Sequence, residues 1–294
     1  MGMGLHDERL ADGLRLRASD DAGSAVLARF YEGYDRAFVL ADEREGLAGF
    51  RACLALNRTL PVAFGRRHSE QVLVLEAADG TLLGGANFLA IAMTAPGGPA
   101  VSLALNYVYV ERAARGRGLA RVLIAQAGRM ANLALAGDPA APGPAMFIEQ
   151  NDPLALSGAD YAADTLHAGI DQIDRLAVWA RMGARLVDFP YVQPALSPGQ
   201  APDDGLIYAA LAYPGDAVPP RWFHDHLQSF FGVSVRKGAP LGDDAVASAQ
   251  LEALGTRIAP LALLPVDRAI ALLKADRRCG AGARFRQFVA GIAT

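Results

Sequence analysis

Two cysteines in 294 residues, Cys53 and Cys279, are too few and too far apart for a disulfide framework or a cysteine metal site. An excess of positive charge is missing too. With 28 Lys and Arg against 31 Asp and Glu, the net charge of -3 argues against a nucleic-acid surface. The amino terminus carries Asp7, Glu8 and Arg9 before any long apolar stretch, so no secretory signal is expected and a cytoplasmic location follows. Residues 81–110 hold no charged side chain, yet Thr94-Ala95-Pro96-Gly97-Gly98-Pro99 interrupts them, so two strands and a turn are expected there, not a membrane span. No internal repeat is visible. The Gly-Lys-Ser/Thr ending of a P-loop is absent, and a dinucleotide fingerprint would need a glycine where Arg121 stands.

What is present is an apolar chain, 52% hydrophobic, long enough for one large core or two smaller ones. Leu14 to Arg17 reads as a strand. Asp20-Asp21 then caps an amphipathic helix carrying Val26, Leu27, Phe30, Tyr31, Tyr34 and Phe38, and a second helix is expected near Arg44 to Asn57. Strands at Gln71 to Ala77, Leu82 to Met93 and Val101 to Val110 are joined by an Asp79-Gly80 turn and the proline-glycine turn, which makes an antiparallel meander. Ala145 to Gln150 is a further strand with a polar end, Glu149-Gln150-Asn151-Asp152-Pro153. A helix from about Gly169 to Met182, with an Asp171–Arg175 i,i+4 pair, precedes strands near Ala184 to Val192 and Leu206 to Tyr213. After Pro214, Trp222, Phe223, Leu227, Phe230 and Phe231 recur at near-helical spacing, and Leu264 to Leu273 suggests another helix. His224 and His226 lie in that aromatic helix, where His-x-His spacing puts the rings on different faces, so no metal is expected.

The sharpest signal is Arg115-Gly116-Arg117-Gly118-Leu119-Ala120, set between the strand Val101 to Val110 and a helix from about Arg117 to Leu135. Glycines at a strand-to-helix turn let the backbone approach a ligand, and unpaired amides at a helix start favour an anion. Arg112, Arg115, Arg117 and Arg121 add positive charge, which suits a pyrophosphate.

Arg115, Gly118 and Ala120 match the Arg/Gln-x-x-Gly-x-Gly/Ala signature of acyl-CoA binding, and on this the chain resembles the GNAT superfamily of N-acyltransferases. Trp179-Ala180-Arg181-Met182-Gly183-Ala184-Arg185-Leu186 is similar to the Tyr-x-Lys-x-Gly-Phe-x segment that ends that family's last core helix. The resemblance implies an α/β (α+β) fold with a mixed, mostly antiparallel sheet flanked by helices. It places a GNAT-like acyltransferase domain at residues 10–214 and a helical C-terminal extension at 215–294.

Further implications are acetyl-CoA as cosubstrate and direct attack of a primary amine on its thioester in a ternary complex. The pantetheine arm would lie along Val108, Tyr109 and Val110 like an added strand, and the pyrophosphate would meet the amides of Gly116 to Ala120. Two departures stand out. Trp179 occupies the position of the tyrosine that protonates the departing thiolate in many members, which leaves Tyr161 as the candidate acid. The strand Leu103 to Val110 offers Asn106 but no carboxylate where the family commonly has a glutamate, so Glu149 on the neighbouring strand is the candidate base. Tyr31, Tyr34, Asp35, Asn106 and Asn151 are candidate acceptor contacts, although three aromatics at helical spacing also suit a core. The acceptor is expected to be a small-molecule or peptide amine, with neither nucleic acid nor membrane as partner and with room for a homodimer. A non-catalytic acyl-CoA-binding or regulatory protein is the alternative.

Overall fold

The computed structural model describes residues 4–38, 44–197, 199–211 and 213–293. Its centre is the expected meander: β4 (Arg66–Glu76), β5 (Leu82–Ala92) and β6 (Val101–Val110) pair antiparallel in sequence order. β4 and β5 are buried along almost their whole length, which explains their near-continuous apolar runs. The β4–β5 connection turns at Gly80, whose φ of 85° lies in the left-handed region.

The sheet grows from this centre in both directions. β2 (Arg15–Ser19) and β1 (Leu5–Arg9) add on the β4 side, and the two-residue β3 (Val62–Ala63) pairs with the start of β4. On the other side, α3 (Leu119–Ala136) crosses over to β7 (Ala145–Asn151), which runs parallel to β6. Then come β9 (Leu206–Leu211), β8 (Ala184–Val187), β11 (Leu261–Leu264) and β10 (Ala217–Val218), in that spatial order. β6–β7 is the sole parallel pairing among the described residues, so the sheet is mixed and mostly antiparallel with helices on its faces, as expected.

Helices cover the sheet according to their apolar stripes. α3 packs Leu123, Ala127 and Met130 onto Leu16, Leu73, Phe88 and Leu103. α1 (Ala25–Ala37) and α2 (Leu47–Thr59) bury Phe30, Tyr34, Phe50 and Leu54 against Val72, Val74 and Tyr109. α1 is capped by Ser24, whose Oγ accepts from the Leu27 amide, and not by Asp20-Asp21. The helix expected over 169–182 begins at Gln172 as α5 (Gln172–Ala180), after a separate α4 (Gly158–Ala168) that Gly169 ends in the left-handed conformation. Asp171 does not pair with Arg175. It caps α5 through the Ile173 and Asp174 amides, while Arg175 binds Asp164 at 2.5 Å.

The segment after Pro214 is helical, as expected, and also supplies the strands β10 and β11 to the same sheet. α6 (Pro220–Phe230) lays Trp222, Phe223 and Phe230 on Phe147 and Tyr208, beside α7 (Ala245–Thr256). Full burial of each such aromatic is worth about 2 to 3 kcal/mol. α8 (Asp267–Ala275) and α9 (Phe285–Ala293) pack Ile270, Leu273, Phe285 and Val289 beside α5. No helix among the described residues is long and apolar enough to cross a membrane.

Candidate active site

The pairing of β6 with β7 runs from Ser102 with Ala145 to Leu105 with Ile148 and goes no further. On its other edge β6 stays paired with β5, but the register jumps: Phe88 faces Leu105 and Asn87 faces Tyr107, leaving Asn106 as an inserted residue. A bulge of this kind bends a strand and re-aims its side chains. The two parallel strands therefore part after Leu105, and a cavity of about 210 Å³ opens between them, lined by Asn106, Tyr107 and Val108 on one side and by Glu149, Gln150 and Asn151 on the other.

Four carboxylates line this cavity, Glu45, Glu70, Glu149 and Asp203; Glu45 pairs with Lys237 at 2.6 Å, and Asp203 accepts from the Gly205 amide at 2.7 Å. Glu149 accepts hydrogen bonds from the Tyr191 hydroxyl and from Gln193 Nε2, at 2.9 and 3.0 Å to its two oxygens. Burial pushes its carboxyl up to about 7, against the lowering effect of those donors. Glu70, on β4, is 1% exposed. Its Oε1 accepts from Asn87 Nδ2 at 2.6 Å and Asn106 Nδ2 at 3.1 Å, and its Oε2 from Ser234 Oγ at 2.8 Å. Burial likewise raises it to about 7. Ser234 belongs to a wide π turn, Phe231–Val235, that continues α6, so the C-terminal segment forms one wall of the cavity. Such turns often occur at functional sites.

The expected phosphate loop leads directly from β6. Gly116 (φ 79°) and Gly118 (φ 74°) are left-handed, and a Cβ at either would meet open space. Gly118 caps α3 without a side-chain hydrogen bond, and among the described residues the amides of Gly118, Leu119 and Ala120 have no protein acceptor. These are the orphan donors and the positive pole that bind anions. The arginines are arranged differently from the expectation of four cations meeting one pyrophosphate. Arg112 and Arg115 donate to the carbonyls of His167 and Ala168 at 3.1 and 2.7 Å, holding the C-terminus of α4, and Arg121 donates to the Arg181 carbonyl at 3.0 Å. Arg117 stays exposed beside the free amides.

The other sequence candidates divide. Asn106, Val108, Glu149 and Asn151 line the cavity, as does Trp179. Tyr109 and Val110 continue β6 toward the loop, the Tyr109 hydroxyl donating to the Phe30 carbonyl at 2.9 Å. Tyr161, the expected acid, lies outside the cavity lining, with its hydroxyl committed to Asp171 at 2.6 Å and Arg277 over its ring. Tyr31, Tyr34 and Asp35 also lie outside the lining. Tyr34 is fully buried among Phe30, Phe50 and Tyr107, Tyr31 packs against it, and Asp35 is exposed and paired with Arg44. The aromatics at helical spacing are core. Phe38, just past the end of α1, is what reaches the cavity.

Glu70 lies one residue before the strand expected from Gln71 to Ala77, and β4 in fact begins at Arg66. The available signal was the charged and polar run His68-Ser69-Glu70-Gln71 leading into an apolar strand. His226 is fully buried between Ser102 Oγ at 2.6 Å and Tyr208 Oη at 2.7 Å, and burial lowers it to about 3. Among the described residues no group of three or more His, Cys, Asp or Glu is placed to hold a metal ion.

No family model and no curated protein matches the chain. Solved structures similar to it include a tandem GNAT protein from the clavulanic acid biosynthesis pathway, 14% identical with a TM-score of 0.40 over 61% of this chain and 46% of that one. A GCN5-related N-acetyltransferase from Kribbella flavida is 22% identical, with a TM-score of 0.29 over 68% of this chain and 98% of that one. A variant of a spermidine N-acetyltransferase from Vibrio cholerae is 13% identical, with a TM-score of 0.32 over 68% and 94%. This chain thus spans less than half the length of the tandem protein. Likenesses this distant leave the reaction to be read from the site's own residues.

Proposed function

We propose that this chain is a GNAT-type N-acetyltransferase that moves an acetyl group from acetyl-CoA to a primary amine in a ternary complex. One observation carries the reading: a single strand, β6, opens its edge onto a cavity and ends at Val110, eight residues before Gly118, which caps a helix whose first amides have no protein acceptor among the described residues. An extended pantetheine arm fits the open edge at Val108 to Val110, and a pyrophosphate fits the amides of Gly118 to Ala120.

The thioester carbonyl then sits where β6 and β7 part. An amide near Val108 is suited to stabilise the tetrahedral oxyanion, an effect worth about 3 to 4 kcal/mol where one such donor has been removed. Glu149 takes a proton from the acceptor's ammonium to free the amine for attack, or from the cationic nitrogen of the tetrahedral adduct before the C–S bond breaks, since a carboxyl titrating near 7 is matched to proton transfer at neutral pH. Trp179 offers no acidic proton and the Tyr161 hydroxyl is bound to Asp171, so neither of these two positions supplies the acid for the departing thiolate. The acceptor is a small-molecule or peptide amine, no metal takes part, and the cytoplasm is where acetyl-CoA would be met.

Isothermal titration with acetyl-CoA, with dephospho-CoA as control, tests the reading: micromolar binding is the expected result and no binding overturns it. The lack of an acid at these two positions favours one second reading, an acyl-CoA-binding protein without turnover. Acetyl-CoA binding with no thiol release across a broad amine panel would select it.

A further inference from the structure

We propose that Glu70 is a second anionic anchor in the acceptor cavity and that the acceptor is a diamine, one amine reacting beside Glu149 while its other ammonium is held by Glu70. The inference rests on the acyltransfer reading and adds the class of acceptor.

Glu70 receives three neutral donors, Asn87, Asn106 and Ser234, and has no ion pair among the described residues. A carboxylate buried to 1% exposure without a counter-charge is costly, and a bound cation removes that cost. The nearby basic groups are already committed. Lys237 binds Glu45 at 2.6 Å together with the carbonyls of Leu196 and Val235, and Arg175, which lines the cavity, binds Asp164. Among the described residues no cation is therefore paired with Glu70, and the Lys237 charge, committed to Glu45, offsets only part of the effect of burial.

Among the described residues, the buried side-chain polar atoms of the lining that lack a hydrogen-bond partner are all acceptors. Asn106 Oδ1 and Gln150 Oε1, both on lining residues, are buried acceptors with no partner. The Asn106 amide cannot simply be turned round to change this, because its Nδ2 faces two acceptors, Glu70 Oε1 and Asn87 Oδ1, each at 3.1 Å. Three lining carboxylates without an ion pair among the described residues, Glu70, Glu149 and Asp203, and two unpaired carbonyl oxygens call for a ligand rich in N–H donors, and an ammonium supplies three and accepts none. Glu149 and Glu70 reach the cavity from different strands, β7 and β4, so one amine does not need to satisfy both.

The test compares 1,4-diaminobutane with 4-aminobutan-1-ol, which has the same chain length and lacks the second charge. With acetyl-CoA, kcat/KM for the diamine is expected to exceed that for the amino alcohol about tenfold or more, and Glu70→Gln should remove most of that preference through KM. Glu70→Asp, which keeps the charge, should retain part of it, and this second variant guards against a glutamine variant that does not fold. Equal use of the two amines by the parent protein overturns the proposal. So does a Glu70→Gln variant whose kcat falls equally for both, since Glu70 would then belong to proton transfer. Calorimetric binding of 1,4-diaminobutane without acetyl-CoA reads the anchor separately: diamine binding that Glu70→Gln weakens, in a protein that fails to bind acetyl-CoA, would sink the transferase reading and leave the anchor standing.

Discussion

Asn106 Nδ2 lies 3.1 Å from Glu70 Oε1, so the residue inserted into β6 by its bulge is tied to a carboxylate two strands away. The link crosses β5 through Asn87, which donates to the same oxygen at 2.6 Å. One polar bridge under the sheet thus couples the point where β6 turns away from β7 to the floor of the cavity that the turn creates.

Glu149→Gln should lower kcat about 100-fold or more while leaving acetyl-CoA affinity within a factor of two. The parent's rate should rise with pH through about 7 and then flatten, because the carboxyl must be ionised to accept a proton. Steady-state kinetics from about pH 5.5 to about pH 9, a range that brackets a carboxyl titrating near 7, check this. A variant with the parent's rate and profile would remove Glu149 from the mechanism.

Gly118→Asp should abolish acetyl-CoA binding and leave the fold in place. No protein atom stands in the way of the new side chain, and aspartate tolerates the left-handed backbone at a cost of about 1 kcal/mol. The charge it brings would sit against the free amides where a phosphate is expected. Calorimetry for binding and circular dichroism for folding separate the two effects.

Stability should depend on pH through Glu70. Its folded pKa of about 7 lies above a glutamate's ordinary 4.5, so the parent loses stability as pH rises through this interval, by up to about 3 kcal/mol, and the loss is complete above about pH 7. His226, held near 3, works in the opposite direction below its ordinary 6.5 and is present in both proteins. The informative quantity is therefore the difference in urea unfolding free energy between the parent and Glu70→Gln. It should shift toward the variant between pH 5 and pH 7, over the interval where Glu70 ionises.

Ending the chain after Pro214 should yield an insoluble or unfolded product rather than a stable shorter domain. Phe147, Tyr208 and Tyr191 would lose their cover by Trp222, Phe223, Phe230 and Phe231, and β8 would lose β11. In the full chain, Phe147→Ala should cost about 3 to 5 kcal/mol. A single cooperative thermal transition shifted downward is the expected outcome. Two separate transitions in the parent would show that the segment after Pro214 is an independent domain.

The meander, the loop glycines and the crossover helix were legible because local rules write them: apolar runs for buried strands, a glycine pair for a left-handed turn, and helical periodicity in α3. Glu149 was legible as a polar end on an apolar strand. Glu70 was not, because its importance comes from register, which sets it under Asn106 across two strands. The arginines of the loop misled for a similar reason. Charge near a glycine turn suggests a ligand, but the targets of Arg112 and Arg115 are α4 carbonyls more than fifty residues away in sequence. β10 and β11 are four residues or shorter and draw their stability from the neighbouring strands, so their own sequences carry little strand signal.

The π turn after α6 has a consequence in time as well as in space. Ser234 holds Glu70, and Phe230 and Val235 wall the cavity, so a chain emerging from the ribosome carries its glycine loop, Glu70 and Glu149 well before the chamber beside them can close. Competence would then arrive in one late step, when residues 220–235 dock on the sheet, and a stalled or clipped product would expose apolar surface to quality control instead of working at partial strength.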